Sequence, residues 1–317
     1  MRRAARFGLG VIMFALTLSL SACDEPSPAG IAAISPANAP TSAAEDWSSF
    51  WTEAQTVGGY QGVHVEWDVS GAGNVPAVVT QTEALGPRPV VVLGISSVLG
   101  DEVKKAQLEA MLTMMLTEHQ IPYLGLGNEV DYKPDTDELL ALVDELAVFI
   151  HALGTPTQVF TVFQFEHLLS YADPQSMFAA VSNVDLVAFT SYPFLKYSSP
   201  AAIPDTYYVP ITTWTTKPIA FTELAWPSRM NHPGFPTVKG SEGDQVSFIH
   251  RWREVLTAGF DVHFANWYAL HDTADWYESD PITNFKQVFA SCGLMRNGNE
   301  AKPALEAWSL LNATPVT

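Results

Sequence analysis

Cysteine is almost missing from this chain, with two among 317 residues, Cys23 and Cys292. Two cysteines so far apart exclude a disulfide framework, and no Cys/His cluster has metal-ligand spacing. Basic residues are also few, with 16 Lys+Arg against 34 Asp+Glu and a net charge of −18. Such acidity favours solubility and repels nucleic acids, so no nucleic acid partner is expected. Because a glycine-rich phosphate-binding motif is missing too, we expect neither a cofactor nor a metal.

Hydrophobic runs long enough to cross a membrane are also absent. The apolar stretch from Phe7 to Leu20 is shorter than the roughly 20 residues of a membrane-spanning helix. It follows a basic start, which is typical of a secretory signal and is made by Arg2, Arg3 and Arg6. Leu20-Ser21-Ala22-Cys23 resembles the lipobox of bacterial lipoproteins, which implies cleavage before Cys23 and a lipid such as palmitate on it. The alternative is an ordinary secretory signal with a chance cysteine.

These features predict three segments along the chain. They are a lipoprotein signal peptide over 1–22, a tether over 23–29 and a single catalytic domain over 30–317. Pro, Ala and Ser dominate the sequence that follows Cys23, which is typical of a linker. We therefore expect a domain outside the cytoplasm, in the cell envelope and lipid-anchored to a bacterial membrane.

Apolar segments then alternate with helical patterns. The candidate strands are Gly30–Ile34, Val63–Trp67, Pro89–Ile95, Ile121–Leu126, Val159–Phe165, Leu186–Thr190, Pro218–Thr222 and Val262–Trp267. Helices are predicted over Glu102–Glu118 and Thr136–Leu153, from Ser241 with Asp244 as capping partner, and over about Lys302–Leu311. Eight alternating units predict an α/β fold, the (β/α)8 TIM barrel, whose chemistry lies at the carboxyl ends of strands. The first strand is the least distinct, and without it a seven-stranded or open sheet is the alternative.

Two glutamates come at the carboxyl ends of predicted strands. Glu129 follows the apolar run that ends at Leu126, and Glu223 follows the run that ends at Thr222. Hydrolysis of a glycosidic bond needs one carboxyl group to protonate the leaving oxygen and another to attack or stabilise the anomeric carbon. We therefore expect Glu129 and Glu223 to face each other, although both could be surface or capping carboxylates. Retaining geometry separates such groups by roughly 5–5.5 Å, and inverting geometry by roughly 6.5–9.5 Å.

Two short strings carry a family resemblance. Leu126-Gly127-Asn128-Glu129-Val130 and Thr222-Glu223-Leu224-Ala225-Trp226-Pro227-Ser228 resemble segments of endo-β-1,3-glucanases and endo-β-1,4-galactanases, in clan A of the glycoside hydrolases. The resemblance implies that Glu129 is the acid/base, Glu223 the nucleophile of a retaining reaction, and Asn128 a ligand of the sugar 2-hydroxyl. The arginine that this clan frequently carries near the second strand is not found at that place. Because the acid must be protonated before reaction, we expect the higher pKa on Glu129.

Further residues near predicted strand ends are candidates for substrate contacts. By the same resemblance, Tyr192 holds the nucleophile and Trp267 forms the floor of the sugar site, where rings stack on sugar C–H faces. Trp226 lies just past Glu223 and is a third aromatic candidate, although each of the three could belong to the core. The remaining candidates for the cleft are Glu66, Trp67, Gln164, Glu166 and His167, with Tyr268 and Trp276 as further stacking platforms.

Together these patterns favour a monomeric retaining glycoside hydrolase that cleaves a β-linked, neutral poly- or oligosaccharide. We expect β-1,3-glucan or β-1,4-galactan as substrate, because the acidic chain would repel a polyuronate. Two alternatives remain open. One is a non-catalytic glycan-binding surface lipoprotein, and the other is a transglycosylase that remodels envelope glucans.

Overall fold

The computed structural model describes residues 14–17, 33–34, 60–66, 80, 88–231, 238–256, 260–272, 288–296 and 300–313. Its strands in chain order are β1 Phe14–Thr17, β2 Ala33–Ile34, β3 Tyr60–Glu66, β4 Arg88–Gly94, β5 Tyr123–Leu126, β6 Gln158–Gln164, β7 Leu186–Ser191, β8 Ile219–Leu224, β9 Arg229–Asn231, β10 Lys239–Ser241 and β11 Val262–Trp267. β9 and β10 form a separate antiparallel hairpin. All other strands belong to one sheet.

This sheet has the order β11-β8-β7-β6-β5-β4-β3-β1-β2, and the seven strands from β11 to β3 are parallel. Seven of the eight predicted strands are thereby confirmed. The predicted first strand, Gly30–Ile34, is reduced to Ala33–Ile34 and pairs antiparallel with β1, which itself pairs antiparallel with β3. No ladder joins β1 to β11 in the described residues, so the sheet curls into a half-barrel without closing. Alanine has low strand propensity and Pro36 follows closely, which limits this short segment.

Helices connect most of the parallel strands. They are α1 Glu102–Glu118, α2 Thr136–Ala152, α3 Phe165–Leu168, α4 Pro174–Ala180, α5 Ile211–Trp214, α6 Glu242–Leu256 and α7 Pro303–Ala313. The predicted helices are confirmed to within a few residues, and Ser241 Oγ accepts the backbone N–H of Asp244 at 3.1 Å at the start of α6. None of the described helices has both the length and the apolar character needed to cross a bilayer.

Side chains on the parallel strands alternate between two apolar layers. One layer fills the concave side of the sheet and contains Val90, Val92, Phe160, Val162, Leu186, Ala188, Ala220 and Phe264. The other, larger layer lies between the sheet and the helices and includes Val91 and Leu93 from the same strand, β4. Burial on both faces explains why strands such as β4 and β7 are largely apolar runs. Gly125 leaves room for Phe160, since a Cβ on Gly125 would lie 2.6 Å from the ring.

Candidate active site

Glu129 lies just past the carboxyl end of β5, on a tight turn. Gly127 has a φ of 78°, and a Cβ at this position would lie 2.5 Å from Cγ1 of Val130. Glu129 itself adopts the left-handed conformation before the 3-10 turn Val130–Tyr132. For a residue with a side chain this conformation costs roughly 1–3 kcal/mol, so the surroundings must hold it. The side chain is partly exposed, and the hydroxyl of Thr190 donates a hydrogen bond to Oε1 at 2.7 Å.

Glu223 lies within β8 and is almost completely buried. A register shift after Phe189 pairs Glu223 with Thr190, the residue that also contacts Glu129. The hydroxyl of Tyr192 donates a hydrogen bond to Oε2 of Glu223. The other oxygen, Oε1, is buried and has no hydrogen-bond partner among the described residues. Buried polar atoms are nearly always paired, so an unpaired carboxyl oxygen at a strand end is a position where a ligand could bind.

The two carboxyl groups are electrostatically coupled. Burial raises the pKa of Glu223 well above its usual range, the negative charge of Glu129 raises it further, and a hydrogen bond from Asn128 lowers it. Such coupling requires both groups to lie at the same edge of the sheet. The higher pKa on Glu129 stays a prediction. Glu223 is the more deeply buried carboxyl group of the two.

Aromatic rings surround the hydroxyl that holds Glu223. The ring centroid of Tyr192 lies 4.8 Å from that of Phe289 and 6.5 Å from that of Tyr268. Burial raises the pKa of Tyr268, as does the charge of Glu223, so this phenol stays protonated.

Thr190, which contacts Glu129, was not among the predicted site residues. The available signal was strand alternation, because Thr190 precedes Tyr192 by two residues in the same strand-end sequence.

Two predicted sugar contacts, Trp226 and Trp267, lie in the core instead. Both indole rings are fully buried. The ring centroid of Trp267 is 5.2 Å from that of Trp308 in α7, and the centroid of Trp226 is 5.5 Å from that of Phe248 in α6. Because Phe264 faces the concave layer, strand alternation turns Trp267 toward the helices. The prediction that these tryptophans stack on sugar is therefore corrected.

Gln164 and His167 connect the loop after β6 to the turn that carries Glu129. The backbone N–H of Gln164 donates to Oδ1 of Asp131 at 2.8 Å, and Nδ1 of His167 lies 2.7 Å from Oδ2. Burial raises the pKa of Asp131, whereas its hydrogen bonds to Gln164 and His167 lower it. Gln164 is buried and offers little surface to a substrate, whereas His167 is partly exposed.

Glu166 is a third carboxyl group, and it is buried between the ends of β6 and β7. Its Oε1 accepts hydrogen bonds from Tyr207 at 2.7 Å and Ser191 at 2.8 Å, and its Oε2 accepts one from Gln164 at 2.6 Å. Burial raises the pKa of Glu166 to about 7, although these hydrogen bonds lower it. The network joins the loop after β6 to the strand end that carries Tyr192.

Lys302 joins the segments that follow β8 and β11, behind the carboxyl pair. Its buried ammonium group donates to Asp272 Oδ1 at 2.5 Å, the Gly293 carbonyl at 2.7 Å and Ser228 Oγ at 2.8 Å. The thiol of Cys292, in the same segment as Gly293, is fully buried, and burial raises its pKa. The backbone carbonyl of Cys292 accepts a hydrogen bond from the indole N–H of Trp267 at 2.8 Å.

Four predicted positions remain. Glu66 is the last residue of β3, so its backbone lies at the carboxyl edge of the sheet, beside Gly94 of β4. Cys23, Trp67 and Trp276 lie outside the described residues. In the part of the chain that the structure describes, no three His, Cys, Asp or Glu side chains are grouped as metal ligands.

Similarity to other proteins is found at the level of structure. No protein-family model and no curated protein sequence matches the chain. The exo-β-1,4-mannosidase Op5Man5 from Opitutaceae bacterium strain TAV5 matches with a TM-score of 0.58 and 12% identity over 84% of this chain and 54% of the mannosidase.

A β-glucuronidase and a β-galacturonidase match with the same TM-score. The β-glucuronidase of Bifidobacterium dentium has a TM-score of 0.58 and 12% identity, over 84% of this chain and 42% of its own. A GH2 β-galacturonidase from Eisenbergiella tayi has a TM-score of 0.58 and 15% identity, over 85% of this chain and 48% of its own. The chain thus shares its fold with these three sugar-cleaving enzymes and spans about half the length of each.

Proposed function

We propose that this protein is a retaining glycoside hydrolase that cleaves a β-linked, neutral poly- or oligosaccharide. In this proposal Glu129 is the acid/base and Glu223 is the nucleophile. The observation that carries it is the electrostatic coupling of these two carboxyl groups at the carboxyl edge of a parallel sheet. Glycosidases of the common type act through such a pair. The fold shared with a mannosidase and two uronidases supports the same class of reaction.

The surroundings of the two carboxyl groups suit different steps. Glu223 attacks as a carboxylate, and the hydrogen bonds from Tyr192 and Asn128 stabilise that ionised form. Its unpaired Oε1 is the oxygen available to the anomeric carbon. Glu129 is partly exposed, so it can exchange protons with a leaving group and with water. Once Glu223 is ionised, its charge favours the protonated form of Glu129, which the first step requires.

The reaction then proceeds through two displacements. Glu223 forms a bond to the anomeric carbon while the glycosidic bond breaks, and Glu129 gives its proton to the leaving oxygen. Water next attacks the same carbon, Glu129 takes a proton from that water, and Glu223 departs as a carboxylate. Two inversions at one carbon give a product with retained configuration.

Charge favours a neutral substrate. The described groups that shift the pKa of Glu223 are Glu129 and Asn128, and neither is a cation that could pair with a uronic acid. The whole chain has a net charge of −18, which repels polyanions at long range. We therefore expect activity on β-1,3-glucan or β-1,4-galactan before activity on the uronides of the two matching uronidases.

Two alternative functions can each be distinguished from this proposal by one measurement. A transglycosylase that remodels envelope glucans would use the same carboxyl pair and transfer the glycosyl group to a sugar rather than to water. A non-catalytic glycan-binding surface lipoprotein would bind the same polymers without cleaving them.

We also propose that Cys23 is lipidated and that residues 30–317 form a closed (β/α)8 barrel on a bacterial membrane, outside the cytoplasm. The lipobox-like sequence and the seven parallel strands support this arrangement. Cleavage before Cys23 would remove β1 from its place beside β3. The vacated edge of β3 would then be free to pair with a parallel strand from the region after residue 30.

The test is cleavage of a panel of neutral and uronic-acid polymers by the soluble domain. We expect Glu129→Gln and Glu223→Gln each to lower kcat by about 10²–10⁴-fold on a substrate with a poor leaving group. Glu306→Gln, on the exposed face of α7, is the matched control and should cleave like wild type. NMR of the first product should show retention; an inverted anomer would refute the two-step mechanism, and binding without cleavage would favour the glycan-binding lipoprotein.

A further inference from the structure

Three aromatic side chains form a ridge on the protein surface next to Glu129. Tyr132 is 56% exposed and Tyr171 is 40% exposed, and contiguous exposed rings of this kind often mark an interaction site. The ring of His167 lies between them, stacked on Tyr132 with centroids 4.0 Å apart and edge-on to Tyr171 at 5.1 Å. We call Tyr132, His167 and Tyr171 the aromatic ridge.

The ridge is fixed from below by a buried carboxylate. Nδ1 of His167 lies 2.7 Å from Oδ2 of Asp131, whose side chain is completely buried. Oδ1 of Asp131 accepts the backbone N–H of Gln164 at 2.8 Å. Burying a carboxylate is costly unless it is paired, so this arrangement holds the His167 ring in one orientation. The ring of Tyr132 stacks on that oriented surface, which makes the ridge rigid before any ligand binds.

The ridge begins at the candidate acid/base. The backbone N–H of Tyr132 donates to the carbonyl of Glu129 at 3.0 Å, closing the 3-10 turn. The charge of Glu129 also contributes to raising the pKa of Tyr132, so the two side chains are close. Away from Glu129, the ridge continues into a surface groove lined by Lys133, Pro134, Tyr171, Ser176 and Met177.

We propose that the aromatic ridge is a binding subsite for pyranose rings on the leaving-group side of a neutral glycan chain. This inference rests on the proposed function, because it takes Glu129 as the group that protonates the leaving oxygen. A platform that adjoins Glu129 is placed to hold the sugar attached to that oxygen. The apolar C–H faces of a pyranose stack on exposed rings, and the tyrosine hydroxyls and the groove supply polar contacts.

Binding in an inactive background tests the ridge without turnover. In a Glu223→Gln protein, calorimetry would compare disaccharides and hexasaccharides of β-1,3-glucan, β-1,4-galactan and β-1,4-mannan. The hexasaccharide is long enough to cover the ridge, so we expect Tyr132→Ala to weaken its binding about tenfold, the loss of one stacked ring. A disaccharide should lose affinity only where it occupies the leaving-group side. Tyr132→Phe retains the ring and should bind like the parent. Leu310→Ala, which removes an exposed apolar side chain from α7, is the control for surface changes elsewhere.

The outcomes separate the ridge from the catalytic proposal. Equal hexasaccharide affinity in Tyr132→Ala and its parent would overturn the ridge, as would failure of the whole panel to bind. Ridge-dependent binding by a wild-type protein that cleaves none of the panel would support the ridge and refute the hydrolase. Thermal unfolding of Tyr132→Ala at the parent's midpoint would show that any lost affinity comes from the missing ring.

Discussion

At the scale of single residues, the two oxygens of Glu223 have different surroundings. Tyr192 donates to Oε2, whereas Oε1 is buried without a partner in the described chain. A carboxylate held by one oxygen presents the other in a fixed direction, which is the arrangement that an attacking group requires. The hydroxyl of Tyr192 therefore positions Glu223 and also favours its ionised form.

Tyr192→Phe should lower kcat about 10–100-fold, because a hydrogen bond to a charged group contributes about 1.5–3 kcal/mol. Loss of the donor destabilises the carboxylate, so the pKa of Glu223 rises and the acidic limb of the pH–rate profile moves to higher pH. Tyr268→Phe is the matched control, since its ring neighbours Tyr192 and no described hydrogen bond joins it to Glu223. An unmoved acidic limb in Tyr192→Phe would contradict this role.

We expect Glu166 to affect the stability of the fold. Its pKa is about 7 in the folded protein, against 4.5 for the unperturbed group. As the pH rises from 4.5 to 7, the unfolded chain loses this proton and the folded protein keeps it. The free energy of unfolding should therefore fall by about 3 kcal/mol over this range on account of Glu166 alone.

Glu166→Gln should abolish that fall, because a glutamine stays neutral throughout. Chemical denaturation at pH 4.5, 6 and 7.5 of the variant and wild type would measure it. We expect the difference in free energy of unfolding between the two proteins to change with pH in favour of the variant. A constant difference across the three pH values would mean that Glu166 titrates normally.

At the scale of elements, β5 depends on a glycine. Gly125 lies beside Phe160 of β6, whose ring occupies the space where a Cβ would be. Phe160 in turn packs against Phe264 of β11 in the concave layer, and their ring centroids are 5.3 Å apart. The absence of a side chain at Gly125 therefore lets one ring fill the centre of the sheet.

Gly125→Ala should lower the free energy of unfolding by about 1–3 kcal/mol, the usual cost of forcing extra atoms into a packed core. The added Cβ would lie 2.6 Å from the Phe160 ring, so either the ring or the strand must move. Urea denaturation would measure the loss. The double variant Gly125→Ala/Phe160→Leu should recover part of it, and a Gly125→Ala protein as stable as wild type would show that the ring adjusts freely.

Elements with strong local signals could be predicted from the sequence, and side-chain direction within them could not. α1 matches its predicted bounds because its apolar spacing and the cap at Asp101 act locally. Trp267 was assigned to the sugar site because it ends a strand at which the resembling clan often carries a sugar-binding tryptophan, but a shift of one residue reverses the face. Nothing local distinguishes Trp267 from Tyr268; the packing of Phe264 in the concave layer decides which of them turns toward the helices.

At the scale of the whole molecule, seven parallel strands followed from sequence, and the closing strand did not. Strands such as β4 and β7 are largely apolar runs, which a buried parallel strand requires. The first predicted strand has only two bulky side chains, Ile31 and Ile34, and closing a barrel with it depends on long-range contacts. The carboxyl pair could be placed at one edge because carboxyl ends of parallel strands converge. The support from Thr190 depends on the register shift between β7 and β8, and that from Asp131 depends on a turn.

The fate of the amino terminus decides where the protein is located in the cell. We expect Cys23→Ala to leave the precursor uncleaved at this site and to release or mislocate the domain, because the lipid would be lost. Fractionation of cells with and without detergent, together with mass spectrometry of the amino terminus, would measure this. A Ser21→Ala variant keeps the cysteine and small residues, and should be processed as usual. Normal processing and membrane association of Cys23→Ala would refute lipidation there.

The burial of Cys292 makes its thiol a probe of local opening of the fold. If Cys23 is capped by lipid, Cys292 is the single free thiol of the molecule. Because its sulfur is fully buried and its pKa is raised, a thiol reagent can react only when the segment after β11 opens. The labelling rate therefore reports how often this segment opens, and the segment includes Phe289, which packs against Tyr192. A bound sugar that stabilises the closed segment would slow labelling, so binding could be followed without measuring catalysis.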